Sequence, residues 1–66
     1  MPMALSRFES MLKTHKVYFF DSSEFEEIIH YYIDNGRHAL AKKAVKLSLE
    51  QHPSSAMLKL LKVELY

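Results

Sequence analysis

The sequence contains no cysteine. That removes disulfide staples, thiolate metal ligands and a cysteine nucleophile, and it agrees with a reducing compartment. Glycine occurs once and proline twice in 66 residues, which argues against a loop-rich or all-β fold whose many reversals need both residues. No apolar run is long enough to cross a bilayer and the N-terminus lacks a signal-peptide pattern, so a soluble, cytoplasmic chain with no membrane partner is expected. The formal net charge of +1 is too close to neutral to imply a nucleic-acid or membrane partner by itself.

What is present is one small domain's worth of chain. At this length folding buries only about 60% of the surface that the unfolded chain exposes, so the core is marginal. Charge is segregated along it. Residues 21–34 hold Asp21, Glu24, Glu26, Glu27 and Asp34 with no Lys or Arg, whereas residues 35–66 hold Arg37, Lys42, Lys43, Lys46, Lys59 and Lys62 against Glu50 and Glu64. Complementary packing of the two segments within the chain is the plain reading.

Between those segments stands the Asn35–Gly36 step, which turns β-hairpins but also ends helices. The flanking residues decide. Phe25, Ile28, Ile29, Tyr32 and Ile33 recur at i, i+3, i+4, i+7 and i+8, one face of a helix and not the alternation of a strand. Leu40, Ala41, Ala44, Val45, Leu47 and Ser48 keep the helical period beyond Gly36. Two helices in a hairpin are therefore predicted, with Gly36 stopping the first in a left-handed conformation.

The first helix is marked at its start by Asp21 as N-cap with Glu24 three residues on, an acidic capping box. Phe20 and Phe25 fall at the positions of a hydrophobic staple. The second runs from about His38 to Gln51, since Pro53 cannot continue it. Pro53-Ser54-Ser55 then opens a third segment with a serine N-cap, in which Leu58, Leu61 and Leu65 keep register. Leu5, Phe8, Met11 and Leu12 predict an N-terminal helix within residues 1–16, with Ser6 and Glu9 at capping-box spacing. Residues 17–21, including Val17-Tyr18-Phe19-Phe20, read as a packed connector. The fold class is all-α.

Residues 22–55 resemble one tetratricopeptide repeat, a helix–turn–helix unit of about 34 residues. Phe25, Ile28-Ile29 and Tyr32 stand where the family has its aromatic, Leu-Gly and Tyr positions, and Gly36 stands at its turn. Ala41, Val45, Ser48 and Pro53 match its small, large, small and terminal proline positions. Ile29 replaces a usually small residue and Gln51 a commonly aliphatic one. In the same register, Lys59 and Lys62 fall on core positions of a following repeat, and a one-residue shift restores Leu58, Leu61 and Leu65. The stretch 11–36 also looks like the N-terminal part of larger bacterial repeat proteins.

The resemblance implies an α-solenoid fragment: a tetratricopeptide-like antiparallel hairpin with a helix before it and, at 56–66, the start of a next repeat or a capping helix. One repeat leaves apolar surface open, and about three are normally needed for stability. A fragment of a longer repeat protein is expected, or a homo-oligomer that covers an edge formed by Leu58, Leu61 and Leu65. The implied function is non-catalytic binding of a protein or peptide, with a self-assembly module as the alternative. By resemblance, Ser23, Glu26, His30, Ile33 and Asp34 line the groove that would take the partner, and the carboxylates favour a basic or neutral segment.

Other chemistry finds little footing. Glu26, His30 and Asp34 lie at i, i+4 and i+8, but with no second histidine at i+4 and no cysteine a metal site is not expected. His15, His30, His38 and His52 lie on different segments, and neither a phosphate loop nor a nucleophile elbow is present. No enzyme activity and no cofactor are expected. Lys42, Lys43 and Lys46 with Arg37 and His38 form a basic face that reads as solvated lysines covering apolar surface, not as a nucleic-acid site.

Overall fold

The computed structural model describes residues 3–66, so the first two residues of the expected N-terminal helix lie outside the described residues. The chain forms α1 (Met3–Thr14), α2 (Ser22–Asp34), α3 (His38–Gln51) and α4 (Ala56–Leu65), with no strand among the described residues. Each helix packs on the next, α1 on α2, α2 on α3 and α3 on α4. No helix among the described residues is long and apolar enough to cross a membrane.

The Asn35–Gly36 corner is a helix stop. Gly36 takes φ +70°, a left-handed conformation that a β-carbon makes costly. Its N–H donates to the Ile33 carbonyl at 3.0 Å, and the Arg37 N–H donates to the Tyr32 carbonyl at 2.8 Å. This paired closure satisfies carbonyls that the helix end leaves free. At the other end of α2 the capping box closes, with the Asp21 N–H donating to Glu24 Oε1 at 2.9 Å. The staple also forms: Phe20 and Phe25 are fully buried with ring centroids 5.3 Å apart.

α3 meets α2 through a stripe of small and medium residues. Ala41, Ala44, Val45 and Ser48 are all fully buried. Ser48 Oγ donates to the Val45 carbonyl at 2.7 Å, so its hydroxyl is satisfied within its own helix and can be buried without a partner elsewhere. α4 starts at the expected serine cap, Ser55 Oγ accepting from the Leu58 N–H at 3.2 Å.

α1 differs at both ends from its sequence reading. Ser6 lies inside the helix, not at its cap. The helix ends at Thr14 because His15 turns the chain at φ +58°, a left-handed position held here by a non-glycine residue. No glycine marks this stop in the sequence.

The connector is only half packed. Phe20 is buried, yet Val17 is 81% and Phe19 is 64% exposed. An extended segment beside helices leaves peptide groups without ladder partners, and α3 supplies them from side chains. Gln51 Oε1 accepts from the Phe20 N–H at 3.0 Å while Gln51 Nε2 donates to the Tyr18 carbonyl at 2.8 Å. The Gln51 amide thus stands in for a neighbouring peptide. His52 Nε2–H adds a bond to the Phe20 carbonyl at 2.6 Å. These contacts give a physical role to the glutamine at position 51.

Two outcomes check this account. Nothing lies within 4 Å of a β-carbon added at Gly36, so Gly36→Ala should lose only the backbone term, about 1–2 kcal/mol in urea unfolding, and Gly36→Asn less. Gln51→Leu, which exchanges the amide for an aliphatic side chain of similar size, should destabilise by about 1–3 kcal/mol because it leaves two part-buried peptide groups unpaired.

Candidate functional site

The polar stripe expected to line a groove lies along α2. Ser23, His30 and Asp34 are exposed, and Glu26 and Ile33 are half-buried. They share one helix and open to solvent. None of these five lines either of the two concavities described below. Glu26, His30 and Asp34 do not belong to any group of three or more acidic or histidine side chains placed to hold a metal ion among the described residues.

The expected self-association edge is corrected by burial. Leu58 and Leu61 are 0% and 3% exposed and belong to the chain's own core, with Leu65 packed half-buried against it. The reason is that α4 is apolar on two sides, and its leucine register is taken up by packing on α3. The opposite side remains open: Met57, Leu60 and Val63 are 48%, 56% and 74% exposed. The sequence held the signal in "AMLKLLKVEL", where apolar residues occupy too many positions for one stripe.

The first concavity, of about 370 Å³, lies between the C-terminal end of α1 and α3. Met11, Leu12, Val17 and Leu47 supply its apolar lining and Lys16, Lys43 and Lys46 its basic rim. No sequence pattern flagged it, because its two walls come from segments that only packing brings together. The second, about 270 Å³, lies between α3 and the end of α4 and includes Lys62 and Tyr66. Lys42 Nζ sits 5.0 Å from the centroid of the Tyr66 ring, a cation–π contact.

Charges pair less within the chain than their segregation suggests. Among the described residues the one ion pair is Arg7 Nη1 to Glu24 Oε2 at 3.2 Å. Arg7 also donates from Nη2 to the Phe19 carbonyl at 3.1 Å and lies 4.6 Å from the centroid of the Phe20 ring. The acidic residues of α2 and the lysines of α3 mostly face solvent instead of each other, since the contact between the two helices is made by their apolar stripes.

Tyr32 is the titratable group most changed by folding. Its hydroxyl donates to Glu9 Oε2 at 3.1 Å, and its ring meets Phe8 edge-on at 6.2 Å. Tyr32 thus ties α2 to α1. Burial first, then the hydrogen bond and charge of Glu9, push the phenol well above its ordinary value of 10.0. This arrangement holds the phenol neutral and makes it a structural donor.

No family model, curated protein or solved structure matches the chain.

The raised phenol has a pH consequence. A group whose pKa is higher folded than unfolded contributes stability that is fully present below its unfolded value and is lost as pH rises through the folded one. Stability should therefore fall as pH rises above about 10. Tyr32→Phe should cost about 1 kcal/mol at neutral pH through the lost hydrogen bond and flatten the alkaline fall, as followed by thermal unfolding across pH.

Proposed function

We propose that this chain is a non-catalytic protein-interaction module of the tetratricopeptide-like kind, which binds a partner protein or peptide. The carrying observation is the outward side of α4. Met57, Leu60 and Val63 are largely exposed on a helix whose inner side is already buried. In a stacked helical array such a side receives the next helix, so a partner helix with an apolar stripe is the occupant that fits it. The α2 stripe of Ser23, Glu26, His30, Ile33 and Asp34 is a separate surface, suited to a basic or neutral segment.

A second reading, self-assembly, is favoured by one feature of α4. Its charged residues are placed so that an antiparallel pairing centred between Leu60 and Val63 sets Lys59 opposite Glu64 of the partner subunit and Leu60 opposite the partner's Val63. Such a contact is self-complementary, as a two-fold interface must be.

The two readings separate in one set of measurements with Leu60→Lys/Val63→Lys, which changes exposed residues and should leave helicity and melting temperature intact. Helical peptides selected by display against the labelled chain should perturb amide shifts of α4 and lose binding to the double variant by about a hundredfold. A concentration-dependent dimer in sedimentation equilibrium, abolished by the same variant, would establish self-assembly instead. Selected peptides that are insensitive to the variant but lost in Glu26→Lys/Asp34→Lys would move the site to α2. A chain that stays monomeric and yields no binder at either surface would overturn the interaction reading.

A further inference from the structure

We infer that the groove between the end of α1 and α3 is a second binding site, for an acidic peptide segment with one or two large apolar anchors. It shares no residue with the outward side of α4, so this inference and the preceding one fail separately.

The groove is built by two local events. His15, at φ +58°, ends α1 and turns the chain so that Lys16 and Val17 form one wall. On α3, Lys43, Lys46, Leu47 and Glu50 fall at i, i+3, i+4 and i+7, which places them on one face as the opposite wall. Its volume of about 370 Å³ is within the range of ligand-binding clefts. The lining grades from buried Met11 through half-buried Leu12 and Leu47 to Val17, which is 81% exposed. Val17 therefore presents an aliphatic side chain to solvent at the mouth, where an inserted apolar group would cover it.

The rim sets the sign of the occupant. Lys16, Lys43 and Lys46 face it with His15, and Glu50 is its one carboxylate. None of the three lysines has a carboxylate within ion-pair distance among the described residues, since the one ion pair is Arg7 with Glu24. Positive charge gathered around an apolar cleft and left uncompensated attracts an anionic segment.

The lining also selects among anionic partners. Single-stranded nucleic acid needs a row of aromatic or guanidinium planes for its bases, and this groove offers the single His15 ring among aliphatic side chains, lysines and Glu50. A bilayer surface is met by a convex or flat face, not by a cleft. A second copy could offer acidic residues from α2, but Phe25, Ile28 and Ile29, the apolar residues between them, are fully buried in its own core. An acidic peptide that carries its own exposed anchors satisfies both the rim and the floor.

The test uses short synthetic peptides and the intact chain, read by fluorescence anisotropy. An Asp/Glu-rich peptide with two leucines should bind saturably and weaken several-fold from low to physiological salt. The same peptide with lysines for its acids, or serines for its leucines, should not bind. Lys16→Glu/Lys43→Glu should weaken binding by about tenfold or more, and Val17→Asp comparably. All three positions are exposed, so both variants should keep the wild-type melting temperature. Leu60→Lys/Val63→Lys should bind like wild type. No saturable binding, binding unaffected by both groove variants, or tighter binding of an oligonucleotide or of phosphatidylglycerol vesicles through the same lysines would overturn the inference.

Discussion

Phe20 is the residue through which three of the four helices are joined. It belongs to no helix, yet its ring lies edge-on to Phe8 of α1 at 5.9 Å and against Phe25 of α2 at 5.3 Å. Arg7 covers it at 4.6 Å, and its backbone is held by Gln51, the last residue of α3, and by His52 just past it. In a chain this short the apolar area available is limited, and aromatic pairs add about 0.5–1.5 kcal/mol each beyond burial. A single ring shared by several elements is an economical way to couple them. The packing of α1 depends on it, because α1 meets the rest of the fold chiefly through α2.

That coupling leaves the ends of the stack as the places where surface remains uncommitted. α4 is satisfied on its inner side by α3 and open on its outer side. Between α1 and α3 the helices diverge enough to leave a cleft. Both features follow from a layered arrangement in which each helix packs on its sequence neighbour, so that apolar surface is covered pairwise and not all round. The two surfaces differ in character. α4 offers an apolar strip with few charges, whereas the α1–α3 cleft joins an apolar floor to a lysine rim. Partners of different chemistry suit them.

Much of this architecture was legible in the residues. The spacing of Phe25, Ile28, Ile29 and Tyr32 fixed the helical period, the Asp21–Glu24 pair fixed the start of α2, and Gly36 fixed its end, because each acts through neighbours within a turn of itself. The stop of α1 was not legible. His15 adopts a conformation that sequence assigns to glycine, and only the pull of Tyr18 and Phe20 toward the core explains why the chain turns there. The role of Gln51 was also hidden. It looked like a flaw in an apolar pattern until the connector came to lie beside it.

The sites divide along the same line. The sequence alone determined the all-α class, the hairpin corner and the segregation of acidic from basic residues, since these depend on periodicity, capping and composition. Which side of α4 faces inward was decided by tertiary packing: its apolar residues leave two faces eligible, and α3 takes the one bearing Leu58 and Leu61. The α1–α3 cleft was likewise decided in three dimensions. Lys16 and Lys43 are far apart along the chain, and no local rule brings them together; the fold does so by seating both helices against α2.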